Sequence, residues 1–297
     1  MTLCVKIKNM VQFITIEDKR YPKSLKEIGN EAPKKLYYKG DWNNDIFENC
    51  LAVVGTRHLT SYGRKITEQL VTEIASAGIT VVSGFMYGGD ESAHSATVMV
   101  GGKTIAVMPC GIDLIHPQYQ EKLYNKILEN KGLIISEYEE KFQPVTWSYV
   151  KRNRIVAGLS KAILVVEAGL DSGSLLTAGL AKKYGRKIFA VPGQITSEVS
   201  KGTIKLIKEG AEVVTEASDI LKYYNFSPAG AKKHSTQSSL IFTKEEQKIV
   251  EQLKREPMEA DTIARTLGVS VVKIGATLSL MQLKGFINQE SGKYYIN

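Results

Sequence analysis

A chain of 297 residues, 43% hydrophobic and 24% charged, can bury a large core, and its length makes two domains the expectation. It has no apolar run of transmembrane length, its opening MTLCVKIKNMVQF lacks the apolar stretch of a secretory signal, and its three cysteines (Cys4, Cys50, Cys110) are too few and too widely spaced for a disulfide framework or a zinc site. Membrane, secreted and zinc-module classes are therefore excluded, and the reducing cytoplasm is the expected compartment.

Residues 1–46 read as an irregular lead-in, strand-like over 11–16, with turn signals at Tyr21-Pro22 and Gly40-Asp41. Over residues 47–225, short runs rich in Val and Ile alternate with helical patterns. The runs fall at 51–54, 79–82, 104–108, 133–136, 162–166, 187–191 and 212–214. Continuous apolar runs of this length suit strands buried on both faces. The pattern over 62–77 sets Ile66, Leu70, Val71 and Ile74 on one helical face. Such alternation predicts an α/β fold with a doubly wound, mainly parallel sheet.

Residues 226–240 (FSPAGAKKHSTQSSL) lack periodicity and read as a linker. In residues 241–297, helical patterns at 245–253, 260–267 and 271–283 precede two short strands around Ser291-Gly292, which is a winged-helix pattern. The last helix carries only Lys273, with Lys284 just beyond it. This favours a protein-interaction or accessory role over reading duplex DNA. The charge agrees: of the net +8, residues 241–297 hold eight Lys or Arg against seven Asp or Glu. A polyanion would therefore bind the long N-terminal part.

Small residues follow the strands: Gly55-Thr56-Arg57, Ser83-Gly84, Pro109-Cys110-Gly111, Glu167-Ala168-Gly169 and Pro192-Gly193. Open α/β sheets bind ligands beyond the carboxyl ends of their strands, where such residues admit a ligand to the backbone. The loop Asp171-Ser172-Gly173-Ser174 precedes a helical pattern over 175–184, an arrangement that turns N–H groups and a positive helix end toward an anion. Between 141 and 166 there are five Lys or Arg and no Asp or Glu. Neither GxGxxG in the right context nor GxxxxGK[ST] is present, so dinucleotide and P-loop readings weaken.

Residues 147–154 (WSYVKRNR) mix aromatics with cations, the combination that holds single strands without reading their sequence. Taken alone, the segment fits a solvated amphipathic helix equally well; beside the Ser-Gly-Ser loop, nucleic acid is the better reading. The histidines are His58, His94, His116 and His234, and Asp90 with His94 reads as an i,i+4 pair on a helix. No GxSxG elbow or metal-ligand spacing occurs, so no catalytic residue, metal or cofactor is expected. Glu137 and Glu167, at strand ends, could act as acid or base or could orient Arg57 or Arg154. A basic crevice favours the orienting role.

The motifs VVGTRHLTSYG, VVSGF, GGKTIAVMPCGID, GLIISEY, RNRIVAGLS, VVEAGLDSGSLLTA, GRKIFAVPG and GTIKLIKEGA occur in that order over residues 50–215, led in by YPKSL and APKKLYYKGD. Together they resemble the DNA-processing protein A (DprA/Smf) family. The resemblance implies an extended Rossmann-like domain that binds and protects single-stranded DNA, forms a homodimer, and loads a RecA-type recombinase during natural transformation and recombination, without catalysis. By motif position it also implies DNA contacts at Gly55, Thr56 and Arg57, at Ser61, Tyr62 and Gly63, and at Ser83 and Gly84. Further contacts fall on Tyr149, Lys151, Arg152, Asn153 and Arg154, and on Ser172, Gly173, Ser174 and Thr177.

The family's SGLARGID reads SGFMYGGD here, so Tyr87 stands at an arginine position and Gly89 at an isoleucine. One expected phosphate-binding cation is lost and an aromatic face replaces it. The alternative is a small-nucleotide sensor or a phosphoribohydrolase-like enzyme on the same fold. The PGGxGTxxE motif of such enzymes is absent, and residues 167–178 read EAGLDSGSLLTA.

Overall fold

The computed structural model describes residues 12–226, 243–290 and 292–296. The chain divides into two compact units between Lys233 and His234. Apart from Phe226, the stretch expected as a linker lies outside the described residues.

The first unit is built on one nine-stranded sheet: β1 (Gln12–Thr15), β2 (Lys35–Gly40), β3 (Cys50–Val54), β4 (Thr80–Ser83), β5 (Thr104–Met108), β6 (Leu133–Ser136), β7 (Ala162–Val165), β8 (Lys187–Ala190) and β9 (Glu212–Val213). Its spatial order is β1-β2-β6-β5-β4-β3-β7-β8-β9. From β6 to β9 all neighbours are parallel, while β2 on β6 and β1 on β2 are antiparallel. The chain runs outward from β3 through β4, β5 and β6, then returns to place β7 on the other side of β3. A topological switch point therefore lies between β3 and β7, where a crevice opens in folds of this kind.

The helices are α1 (Lys23–Lys26), α2 (Ser61–Ser76), α3 (Gly89–Met99), α4 (Glu121–Glu129), α5 (Thr146–Leu159), α6 (Gly173–Lys183), α7 (Lys201–Lys208) and α8 (Ala217–Tyr223). Period-two alternation sends the central strands' side chains to both faces. Ala52, Val54, Ile163 and Val165 pack with Ile155 of α5 and Ala178 of α6. Leu51, Val53, Ala162 and Leu164 pack on the opposite side with Leu70 and Ile74 of α2 and Ala93 of α3.

Two sequence expectations change. The lead-in, read as irregular apart from a strand-like start, contributes two strands from its described residues: β1 and β2 extend the sheet, because Ile14, Leu36 and Tyr38 join the same core as Ile105 and Ile135. His94 does not pair with Asp90 one turn earlier. Its Nδ1 lies 2.7 Å from the Thr104 hydroxyl, which itself donates to the Val81 carbonyl (2.7 Å). Thr104 thus accepts, and the imidazole carries its proton on Nδ1.

The second unit contains α9 (Lys244–Leu253), β10 (Met258–Glu259), α10 (Ala260–Leu267), α11 (Val271–Leu283), β11 (Ile287–Glu290) and β12 (Lys293–Ile296), with an antiparallel sheet ordered β10-β12-β11. Thr243 caps α9, exchanging bonds with Glu246. Gly268 closes α10 in the left-handed region that glycine tolerates. Ile249, Ile263, Leu278 and Ile287 form the core of this winged helix. Lys273 pairs with Glu245, and Lys284 with Glu246 at 2.9 Å, so the cation within α11 and the one just beyond it both meet carboxylates. Among the described residues of the chain, no single helix is long and apolar enough to cross a membrane.

Candidate nucleic-acid interface

A crevice of about 860 Å³ opens beyond the carboxyl ends of β3 and β7. One wall follows β3. The Thr56 amide donates to the Glu167 carbonyl (2.7 Å) and the Gly89 amide to the Thr56 carbonyl (3.1 Å), so the loops after β3, β4 and β7 are tied together. Gly55 and Gly89 touch backbone to backbone: a Cβ on Gly89 would come 2.7 Å from the Gly55 Cα. Gly88 holds φ at +79°, a conformation that side chains disfavour. This contact sets Arg57 beside Tyr87.

Arg57 is exposed, and its guanidinium carbon lies 5.5 Å from the ring centroids of both Tyr87 and Tyr149. Cation–π attraction at this range holds the cation without neutralising it. Among the described residues, Arg57 forms no ion pair. The Tyr149 hydroxyl and His116 Nε2 share a hydrogen bond of 2.8 Å. Burial, and then the charge of Arg57, holds the His116 pKa below its usual value, while burial raises that of Tyr149, so both rings are held in their neutral forms. Nothing in the sequence signalled this support from His116, which is 33 residues from Tyr149.

The facing wall is the start of α6. Ser172 caps the helix, its hydroxyl accepting from the Ser174 amide (3.3 Å) and lying 2.7 Å from the Ser174 hydroxyl. Thr177 donates to the Gly173 carbonyl (3.2 Å). Ser172, Gly173, Ser174 and Thr177 all border the crevice, so the positive end of α6 faces the space beside Arg57. Gly55, Thr56, Gly84, Tyr149, Arg152 and Asn153 complete the predicted residues that line it.

Other predicted residues serve the scaffold. Ser83 is buried and donates to the Val53 carbonyl (2.6 Å). Glu167 does not orient Arg57: its carboxylate takes the Thr60 amide (2.9 Å) and hydroxyl (2.5 Å), bracing the start of α2. A Cβ on Gly63 would strike that carboxylate, and the Tyr62 hydroxyl donates to the Pro192 carbonyl (2.8 Å). Tyr62 and Gly63 therefore brace the start of α2, and neither they nor Ser61 line the crevice.

The Arg152-Asn153-Arg154 triplet is split. Successive helical residues point about 100° apart, so all three cannot face one ligand. Arg152, only 4% exposed, reaches through the floor to donate to the carbonyls of Gly84 and Val107. Burial depresses its pKa and, in the same pocket, raises that of Asp90. Asn153 faces the crevice. Arg154 turns to Glu137 (2.5 Å), as the orienting role for that carboxylate anticipated, and Lys151 approaches the same carboxylate at 3.4 Å outside the crevice.

A family model described as DNA recombination-mediator protein A matches residues 12–225, and one described as DprA winged helix domain matches residues 231–293. Protein Smf of Escherichia coli is 33% identical over 95% of this chain and 76% of its own length. The crystal structure of DNA processing protein A from Streptococcus pneumoniae superposes with a TM-score of 0.68 at 38% identity, covering 72% of this chain and 74% of that one. A structure of DNA processing protein A from Helicobacter pylori, which describes that protein's single-stranded DNA binding mode, gives a TM-score of 0.64 at 33% identity over 72% and 96%.

Proposed function

The chain belongs to the DprA/Smf family of DNA-processing proteins, and from that premise we propose that it binds single-stranded DNA in the crevice beyond β3 and β7 and presents it to a RecA-type recombinase. The observation that carries the reading is Arg57, clipped between Tyr87 and Tyr149, free of any carboxylate among the described residues and facing the start of α6. A phosphate oxygen accepts from Arg57, another from the Gly173 amide at the start of α6, and an unpaired base stacks on a tyrosine of the clip. A stacked base must leave the duplex, which selects single strands. Phosphate contacts and ring stacking do not depend on which base is held, so binding is expected to be largely neutral to sequence.

The protein acts by binding and protecting the strand, without catalysis. It works as a homodimer in the cytoplasm, during recombination of incoming DNA such as natural transformation. Fluorescence polarisation of labelled oligo-dT tests the crevice. Arg57→Ala is expected to weaken binding by about tenfold or more, and affinity should fall with salt at a log–log slope of roughly −0.7 per phosphate neutralised. Salt-insensitive binding would overturn the reading. Recombinase assembly on a strand coated with single-strand binding protein, with and without the chain, tests loading.

The crevice volume also suits a mononucleotide, which is the second reading. A free nucleotide that binds tightly, while Arg57→Ala binds oligo-dT like wild type, would favour it.

A further inference from the structure

Beside the crevice, the connection from β6 to α5 carries an aromatic group to which the crevice assigns no task. Tyr138 and Phe142 stack with centroids 4.3 Å apart at 16°, and Trp147, in the first turn of α5, meets them at 5.9 and 5.8 Å. Trp147 nevertheless stands 54% exposed. Lys151, one turn further along α5, places its ammonium 5.7 Å from the Tyr138 ring and 5.8 Å from the Trp147 ring. Its acidic neighbour Glu137, at 3.4 Å, is engaged more closely by Arg154 at 2.5 Å. One carboxylate thus serves two cations, and the surplus positive charge sits at the exposed one beside an exposed indole.

The position of this group matters as much as its composition. Thr146, Tyr149, Val150 and Asn153 of α5 line the crevice. Trp147 and Lys151, four residues apart, form the adjoining stripe of the same helix. A strand leaving Arg57 and Tyr149 across the exposed Val150 therefore meets Trp147 next. The second group repeats the chemistry of the first, a cation within 6 Å of two aromatic rings.

We propose that Trp147 and Lys151 form a second station for single-stranded DNA outside the crevice, where the indole stacks a base and the ammonium meets a neighbouring phosphate. The proposal rests on the crevice being a single-strand site and lengthens its footprint across α5. It explains why the largest ring of the cluster is left in solvent next to an incompletely neutralised lysine.

The chain offers a direct optical probe. It has two tryptophans, and Trp42 is 9% exposed, packed between Tyr38 and Phe47 at 4.7 and 4.9 Å. A change in intrinsic fluorescence on adding oligo-dT therefore reports Trp147. An oligo-dT of about twenty nucleotides is expected to quench the emission more strongly than one of about six that fills the crevice alone. Trp147→Ala should weaken the longer oligomer about tenfold while the shorter binds as in wild type, and Trp147→Phe should retain affinity for both. Unchanged binding of the shorter oligomer shows that the variant is folded. The proposal is overturned if the longer oligomer saturates the protein in polarisation while the emission stays unmoved, or if Trp147→Ala binds it like wild type. Failure of either oligomer to bind the unsubstituted chain in polarisation would instead sink the crevice reading, and this proposal with it.

Discussion

Arg57 is held by polarisable faces instead of a carboxylate, which leaves its charge available to an incoming phosphate. Tyr87 supplies half of that hold, at a position where the sequence resemblance led one to expect a cation. Tyr87→Phe should bind oligo-dT as the unsubstituted chain does, because the ring is what touches Arg57. Tyr87→Ala should weaken binding severalfold, and Tyr87→Arg should steepen the salt dependence by about 0.7 in the log–log slope. Polarisation titrations at several salt concentrations separate these outcomes. Arg152 carries the opposite lesson. A Cβ on Gly84 would overlap its guanidinium, whose Nε already lacks a partner among the described residues. Gly84→Ala is therefore expected to destabilise the first unit by about 1–3 kcal/mol, read as a lower urea midpoint at unchanged m-value. Both arginines were candidate DNA contacts in the sequence. What separated them was burial, which no short motif encodes.

At the scale of elements, the junction of α3 with β5 makes a pH prediction. Burial pushes the His94 pKa from 6.5 down to about 3, so the folded unit keeps the imidazole neutral. Below pH 6.5 the unfolded chain gains a proton that the folded chain refuses. His94 therefore costs no stability above that pH, and stability declines by about 1.4 kcal/mol per pH unit as pH falls toward 3. His116, also shifted down, adds in the same direction. Urea midpoints measured between pH 7.5 and 5 should fall with acid, and a His94→Gln variant that folds should lose one proton's share of that slope. At the start of α6, Ser172→Ala removes the cap and should lower stability by about 1 kcal/mol. The helices themselves were legible in the sequence, since α2 spans Ser61–Ser76 where the apolar pattern covers 62–77. The partner of His94 was not, because it comes from the next strand.

At the scale of the whole molecule, the two units have separate cores, and the crevice belongs wholly to the first. A chain ending at Phe226 is expected to keep both its cooperative unfolding and its affinity for a short oligo-dT. A large loss of that affinity on truncation would assign the winged helix a direct part in holding the strand. The paired lysines in and just beyond α11 argue that its face was not built to grip a duplex.

By itself the sequence determined the alternation of buried strands and helices, the small residues at the strand ends, the small-residue loop ahead of α6, and the winged-helix tail. These follow from periodicity and backbone conformational preference, which act over a few residues. Tertiary structure decided that the lead-in joins the sheet and which cations remain free. Arg152 is claimed by carbonyls 68 and 45 residues away, Arg154 by a carboxylate 17 residues away, and Arg57 is flanked by two rings and forms no ion pair among the described residues. Charge is a property of the residue, but its availability depends on partners that only the folded chain brings within reach.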